Sequence, residues 1–364
     1  MATFYPDSGI DEYLRERLMP VEGAIPHLPG IEMYGDSIPA GKVGGDLFEY
    51  INFQQRYDID ARIERALKRS KEFLKPHLLG APDWNSVDDQ VEWLKSRQDY
   101  RVEMEGAYRE SRSLDQVRVA EDLKDLFSTA GVLVVDAQGH GVIAAKIAST
   151  VHDTFHALML SKLDRYGKTA PELFENINLR LAHSVTARNA LGRSGKEEAR
   201  EIATMLYGEV RSSGHFRFVN FGHPPPLVFS AQRNTFAEID RGRMVQFFPL
   251  GLEIPEDHPD RKRYVSMHFR QGPADYSDIA DIALINPGDI LFLYTDGVYD
   301  GGDEQGRRNL EELIRDHRSL SAKEICGVVM EYAVGNDRQL RGRGESDCVD
   351  DKTVFIIKRS DTED

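Results

Sequence analysis

Positive charge is scarce in this sequence. Forty-six Lys and Arg stand against 61 Asp and Glu, a formal net charge of −15 over 364 residues. Binding a phosphate backbone or an anionic bilayer takes clustered cations that displace counterions. Here Lys and Arg are scattered among acids, so neither a nucleic acid nor a membrane surface is expected as a partner. Cysteine is nearly absent as well, with only Cys326 and Cys348. Two cysteines build no disulfide framework, and a reducing cytoplasm is the simplest setting for them. No run approaches the roughly 20 apolar residues that cross a bilayer. The opening residues, Met1-Ala2-Thr3-Phe4-Tyr5-Pro6-Asp7, have neither the basic start nor the apolar stretch of a secretion signal. There is no internal repeat. With 40% hydrophobic residues, the chain can bury a sizeable core in one large domain or two small ones.

What is present is a set of acids at the ends of strand-like runs, each close to glycine. Asp46 follows Val43-Gly44-Gly45, and Asp136 ends Val132-Leu133-Val134-Val135. Asp296 lies between Leu291-Phe292-Leu293-Tyr294-Thr295 and Gly297. Asp350 precedes Asp351-Lys352 and the run Thr353-Val354-Phe355-Ile356-Ile357. Carboxylates brought within a few Å of each other repel and raise each other's pKa unless a cation sits between them. Divalent metal is the usual answer, and oxygen-only ligands favour Mg²⁺ or Mn²⁺. A strand end holds its carboxylate rigidly, and glycine lets the backbone turn sharply beside it. One such Asp alone reads as a turn cap. Four with the same flanks point to a two-metal hydrolase.

The remaining pattern is organised around those acids. Residues 1–33 read as a lead-in with several prolines, and 34–51 as a strand, a Gly-rich turn and a second strand. Residues 54–128 are charged and helical in period, with Ile59, Ile63, Ala66, Leu67 and Leu74 on one stripe. Ser86 with Asp89 and Ser113 with Gln116 have capping-box spacing, so two or three helices are expected there. The segment separates the strands that carry Asp46 and Asp136, which makes it an insertion. Beyond Gly131 come a strand (132–136), a long helix (142–163) broken by Gly167, and a helix opened by Thr169-Ala170-Pro171-Glu172. Strands follow at 203–210, 216–221 and 227–229, with Ser213-Gly214 as a hairpin turn. Residues 253–287 read as irregular and acidic, 290–295 as a strand, 309–334 as helical and 353–358 as the last strand. Helices and hairpin strands are grouped rather than alternating, which predicts an α+β layered fold with antiparallel sheets.

Taken in order, the short motifs have a family look. They are Gly44-Gly45-Asp46, Asp136-x-x-Gly139-His140-Gly141 with Ala144-Ala145, Thr169-Ala170-Pro171-Glu172-Leu173 with Asn178, and Thr204-Met205. Then come Gly222-His223-Pro224-Pro225-Pro226, Pro249-Leu250-Gly251, Gly288-Asp289, Tyr294-Thr295-Asp296-Gly297 and Asp350-Asp351-x-Thr353. The series closely resembles the SpoIIE-type serine phosphatases of the metal-dependent PPM (protein phosphatase 2C-like) superfamily. The resemblance covers about 34–358, apart from 54–128 and 253–280. It implies an αββα sandwich, a central antiparallel β-sandwich flanked by helices. The helical insertion at 54–128 then interrupts a phosphatase domain spanning 34–360. It also implies two Mn²⁺ or Mg²⁺ ions. Asp136 would bridge them, the backbone carbonyl of Ala137 would complete one of them, Asp46 would lie on the first, and Asp296 and Asp350 on the second. Asp350 matches by its spacing to Thr353, with Asp351 as the alternative. Catalysis would run through metal-activated water on a phosphoserine or phosphothreonine ester, with no protein nucleophile. The resemblance implies a small STAS-domain protein of a partner-switching pathway as substrate.

Departures from the pattern matter too. Eukaryotic relatives carry a His two residues after the bridging Asp, where this chain has Gln138, so the general acid is unassigned. His140 is offset and takes no such role, no Arg matches their phosphate-binding residue, and Lys42 reads as a solvated lysine. His152 and His156 lie one helical turn apart, a spacing that can hold metal, but Asp153 completes no zinc motif and a structural role is expected. His223 reads as part of the sandwich. Asp300 reads as an acid near the metals or a solvated one, Cys348 as an ordinary small side chain, and Asp361–Asp364 as a tail. Two rival functions stay open: a catalytically weak or inactive phosphatase-fold module that binds a regulatory phosphoprotein, and a two-metal nuclease, which the acidic charge disfavours. The 54–128 segment is expected to be a regulatory or homodimerisation element.

Overall fold

The computed structural model describes residues 25–74, 104–139, 141–170, 172–190, 201–237, 239, 246–252, 257, 280–299, 304–342 and 349–360. The Ser86–Asp89 signal, His140, Asp300, Cys348 and Asp361–Asp364 lie outside them. By its internal contacts the chain divides into two units. One comprises residues up to Ile51, Ala130–Thr154 and Phe174 onward; the other comprises Asn52–Thr129 and Phe155–Leu173.

The larger unit is built from two sheets. The first strand, β1 (Ile31–Ile38), alternates buried Ile31, Met33, Gly35 and Ser37 with more exposed neighbours, the period of a strand with one face inward. It starts at Ile31, inside the stretch read as lead-in. It pairs antiparallel with β11 (Lys352–Arg359), Ile31 opposite Arg359 and Ile38 opposite Lys352. β11 pairs in turn with β10 (Ile290–Tyr294), which pairs with β6 (Leu227–Ser230) and that with β7 (Thr235–Ala237), all antiparallel. The second sheet runs β2 (Asp46–Asn52), β3 (Thr129–Ala137), β4 (Ala203–Arg211), β5 (His215–Phe221), β8 (Gln246–Phe247). Its β4–β5 hairpin turns through Gly214 at φ +89, and the two-residue β8 joins β5 in parallel. A further strand, β9 (Ala280–Ala283), pairs antiparallel with β5. It falls in the tract read as irregular, because only four residues alternate there and the acids around them mask the pattern.

The two sheets face each other across one core. Met33, Leu291, Leu293, Phe355 and Ile357 of the first pack with Phe48, Val132, Val134, Leu206 and Phe218 of the second. The opposite face of the first sheet carries Phe292, Val354 and Ile356, covered by α6 (Glu304–Asp316) and α7 (Ala322–Gly342) through Leu310, Ile314, Ile325, Val329 and Met330. β10 and the front of β11 are therefore covered on both sides, which is why their sequences read as unbroken apolar runs. On the far face of the second sheet, Phe174 of α5 (Glu172–Ala190) packs against Tyr207 and Phe221. The layers are helix, sheet, sheet, helix, the expected αββα sandwich. Each fully buried large side chain contributes about 2–3 kcal/mol through removal of apolar area from water.

Two local expectations are corrected. The helical stretch 309–334 is two helices, α6 and α7. Ser321 and Glu324 form a capping box that restarts the helix: Ser321 N–H donates to Glu324 Oε2 at 2.9 Å, and Glu324 N–H to Ser321 Oγ at 3.3 Å. Ser113 and Gln116, conversely, start nothing. They sit inside α3 (Met104–Asp125), where Ser113 is buried and its hydroxyl meets Ser70 Oγ at 2.6 Å.

The second unit holds α1 (Phe53–Tyr57), α2 (Ile59–Leu74), α3, a short 3₁₀ turn (Leu126–Ser128) and the chain from Phe155 to Leu173, which includes the end of α4 (Val142–Tyr166). Arg62, 7% exposed, organises it. Its guanidinium donates to Tyr57 O at 2.6 Å and Leu160 O at 3.2 Å, and pairs with Asp164 at 2.5 Å. Gly167 ends α4 at φ +73 against the Val119 carbonyl, where a Cβ would sit only 2.3 Å away. No helix among the described residues is long and apolar enough to cross a membrane.

Candidate active site

Asp46 opens β2 and is buried, 8% exposed. Burial of a carboxylate needs donors, and two threonines supply them. Thr295, just past β10, and Thr353 on β11 both donate their hydroxyls to Asp46 Oδ2, at 2.7 and 2.8 Å. Thr295 Oγ1 also accepts the Thr353 N–H at 2.9 Å. Because the Thr353 hydroxyl proton is committed to Asp46, Ser37 Oγ donates to Thr353 Oγ1, at 2.9 Å. The clamp thus joins strands of both sheets. Thr295→Val removes one carboxylate donor and orphans a buried N–H, a loss of roughly 1–3 kcal/mol. It is expected to lower the urea midpoint with an unchanged slope; an unchanged midpoint would show that the clamp bears no load.

Asp351 is also buried, and both its oxygens are engaged: Ala40 N–H donates to one at 2.6 Å and Gly45 N–H to the other at 2.5 Å. It anchors the turn between β1 and β2 onto the start of β11. The fit is tight, since a Cβ on Gly44 would come within 2.6 Å of the Asp351 carboxylate. Of the adjacent pair, Asp350 is the exposed one, and its Oδ1 accepts the Asp351 N–H at 2.8 Å. Asp296, exposed, follows the Thr295 clamp, and Gly297 next to it leaves no room for a side chain, with the Asp351 carbonyl 1.9 Å from where a Cβ would stand.

Asp136 and Ala137 end β3. Ala137 N–H donates to Gly45 O at 3.2 Å and Gln138 N–H to Ile202 O at 2.9 Å, which seats the strand end beside the Gly44-Gly45 turn. The acids act on one another. Burial, followed by the charges of Asp296, Asp350 and Asp351, pushes the Asp136 carboxyl up to about 7. Burial, then Asp136 and Asp351, hold Asp46 well above the usual carboxylate range, against the lowering effect of its two threonine bonds. The predicted site residues Asp46, Asp136, Ala137, Asp296 and Asp350 therefore meet at one edge of the sandwich. They are gathered rather than closed: among the described residues, no three of these carboxylates bring oxygens within 4.8 Å of one another. The donor set is oxygen alone and heavily negative, the chemistry that suits Mg²⁺ or Mn²⁺, and cations are what such a set of raised carboxyls requires. The residues fit the implied ions.

Other sequence candidates fall into structural places. His223 is fully buried; its Nδ1 meets Thr204 Oγ1 at 2.9 Å, and Asn220 brackets its backbone through His223 N (2.8 Å) and O (2.9 Å). Burial drives the imidazole down to about 3, so it is neutral at physiological pH. The Tyr294 carbonyl lies near enough to favour the charged form, yet Nε2 makes no well-formed hydrogen bond. Asp289 accepts N–H bonds from Ala231, Ile285 and Asn286, and Asn178 holds Gly251 N–H at 2.8 Å. These motif residues pin turns. His152 meets Glu49 at 3.0 Å, while His156 meets Tyr57 Oη at 2.5 Å. Lys42 is exposed. Sequence reading missed the Thr295–Thr353 clamp and the engaged state of Asp351. The signal for the clamp was present as a Thr at each strand end, one next to an acid and one two residues beyond an acid pair.

The Stage II sporulation protein E (SpoIIE) family model matches residues 128–268 and 281–360. Those residues include Asp136, Asp296 and Asp350 but not β2 and Asp46. No curated protein sequence matches the chain. Among solved structures, the chain is similar to the RsbU and RsbW domains of Rv1364c from Mycobacterium tuberculosis, with 17% identity, 93% of this chain and 64% of that chain covered, and a TM-score of 0.47. It is similar to the PP2C phosphatase domain with a fragment of the regulatory domain of SpoIIE from Bacillus subtilis, at 12% identity, 91% and 64% coverage and a TM-score of 0.46. It is also similar to the SiaA PP2C domain of Pseudomonas aeruginosa, at 13% identity, 97% and 96% coverage and a TM-score of 0.48. The chain thus spans 64% of the length of the first two. With well over half of its residues matched by the family model, and three of its strand-end aspartates inside the match, the chain belongs to the SpoIIE family.

Proposed function

We propose that this chain is a Mn²⁺- or Mg²⁺-dependent protein serine/threonine phosphatase. Asp46, Asp136, the Ala137 carbonyl, Asp296 and Asp350 are the groups that would hold the ions. The observation that carries this reading is the convergence of Asp136, at the end of β3, with Asp296 and Asp350 at the ends of strands of the facing sheet, where burial and then their charges raise its carboxyl. When bound, the ions would supply an activated water and offset charge on the phosphoryl oxygens. The chain's own residues do the rest. Thr295 and Thr353 orient Asp46, Asp351 fixes the turn that carries Gly44-Gly45, and the glycines keep space beside the acids. Gln138 holds the position where a proton donor stands in eukaryotic relatives, so the leaving serine takes its proton from solvent.

The phosphatase domain on this reading is 34–360, interrupted by 54–128, and acts in the cytoplasm. Its substrate is a small phosphorylated STAS-domain protein of a partner-switching pathway. The 54–128 helices, which fold into a unit of their own with Phe155–Leu173, serve regulation or homodimerisation. Hydrolysis of p-nitrophenyl phosphate and of a phosphoserine-bearing STAS protein tests the activity. Turnover is expected to need Mn²⁺, to vanish with EDTA and to fall at least roughly 10³-fold in Asp296→Asn, a loss of at least about 4 kcal/mol of transition-state stabilisation. Folded, Mn²⁺-saturated protein that turns over neither substrate would instead mark a module that binds a phosphoprotein without hydrolysing it.

A further inference from the structure

We infer that Lys352 and Asp337 form a buried tether by which helix α7 positions the Asp350 ligand loop. Lys352 sits inside Asp350-Asp351-Lys352-Thr353, at the first position of β11, opposite Ile38 of β1. Apart from Thr353, the strand it opens is apolar up to Ile357. A hydrophobic side chain would satisfy the packing there, yet the chain places an ammonium that is only 2% exposed. Burying such a charge is costly unless it is paired and its protons are used. The charge is paired, and two of its three protons have acceptors. Nζ lies 2.8 Å from Asp337 Oδ1 on α7 and donates to the backbone carbonyl of Asp350 at 2.8 Å. Asp337 is itself 17% exposed, so its partner is partly shielded from water as well.

The second bond gives the pair its meaning. The Asp350 carbonyl belongs to the peptide whose N–H, on Asp351, donates back to Asp350 Oδ1 at 2.8 Å. Holding that carbonyl therefore sets the orientation of the peptide that holds the Asp350 carboxylate. The next residue, Asp351, anchors the Gly45 turn. One ammonium thus fixes an acid loop against a helix that contributes no ligand. A buried ion pair is weak evidence for added stability, whereas groups that orient a ligand typically change metal affinity or activity 10- to 100-fold when removed. Lys352 and Asp337 are positioning residues on this account, and the account rests on the two-metal reading above.

Direct Mn²⁺ titration by calorimetry on the intact chain tests it, read beside near-ultraviolet circular dichroism and melting temperature. Lys352→Met keeps the apolar stem and removes the charge; Asp337→Asn keeps an acceptor and removes the counter-charge. Each is expected to weaken Mn²⁺ binding roughly tenfold or more. Lys352→Arg is expected to recover most of the loss, and the double variant to bind no worse than the weaker single one, because residues of one pair are not additive. If Lys352→Met does not fold, Asp337→Asn, on the more exposed partner, carries the test. Wild-type protein that binds Mn²⁺ while folded variants bind it equally well overturns the tether, as do additive losses. Wild-type protein that takes up no Mn²⁺ overturns the two-metal reading itself.

Discussion

Asp136→Asn is expected to make the metal-free protein more stable and the enzyme inactive. The carboxyl at the end of β3 is buried and faces the charges of Asp296, Asp350 and Asp351, which lift it from 3.8 to about 7. An acid whose folded pKa is raised costs stability when ionised. The penalty is absent below the unfolded value, grows as pH rises from about 4 to 7, and is complete above 7. At about 1.4 kcal/mol per unit its upper bound is roughly 4 kcal/mol, and Asn gives part of this back by burying an amide. In EDTA at pH 8, the Asn variant is expected to unfold at higher denaturant by the equivalent of about 1–3 kcal/mol. The gap should narrow steadily towards pH 5. Adding Mn²⁺ should reverse the order, because a ligand that binds only the native state stabilises the protein that can hold it. Turnover by the variant should drop at least roughly 10³-fold, in the range seen when groups essential to the transition state are removed. Matched urea titrations with and without metal measure all of this. An Asn variant less stable than wild type in EDTA at pH 8 would mean that the acids are not strained by one another.

Much of this was legible in the residues, and the reasons are specific. Val132–Val135 and Leu291–Tyr294 are continuous apolar runs because both faces of their strands are covered, and runs of that length read as strands with few rivals. The acids at their ends stood out as a set, since one alone reads as a turn cap and four at strand ends do not. What escaped reading did so for two reasons. Some signals were present but ambiguous. Ser113-x-x-Gln116 and Ser321-x-x-Glu324 have the same spacing, yet the first lies within a helix with its hydroxyl turned to Ser70, and the second restarts one. Only the partner at the other end of the bond distinguishes them. Other features were invisible because they join distant parts of the chain. Asp46 and Thr353 are 307 residues apart, and Gly45 and Asp351 306. A sequence names the donors and acceptors without saying which will meet.

The Gly44-Gly45 pair shows how such a meeting constrains catalysis, and Gly45→Ala is expected to have the second large effect. Gly45 has no unusual φ, so backbone freedom is not its reason. Space is. A Cβ there would stand 2.6 Å from the Ala137 carbonyl and 2.7 Å from Ala144 Cβ, both closer than real contacts allow. The same residue donates its N–H to Asp351 and accepts the Ala137 N–H through its carbonyl, so it cannot retreat without breaking both bonds. The added methyl must therefore move the end of β3, and with it Asp136 and the Ala137 carbonyl, relative to Asp46. Overpacking of this kind costs about 1–3 kcal/mol of stability. Its effect on rate should be larger in proportion, since a displacement of about 1 Å at a reacting centre can cost roughly 100-fold. The expected result is a protein that still folds, with a melting temperature a few degrees lower, and loses about 100-fold in Mn²⁺-dependent kcat/KM on p-nitrophenyl phosphate. Gly44→Ala is a contrasting probe, because its Cβ would meet the Asp351 carboxylate rather than the β3 end. If Gly45→Ala kept full turnover, the Ala137 carbonyl could not be held to a fixed place, and a ligand role for it would have to be given up.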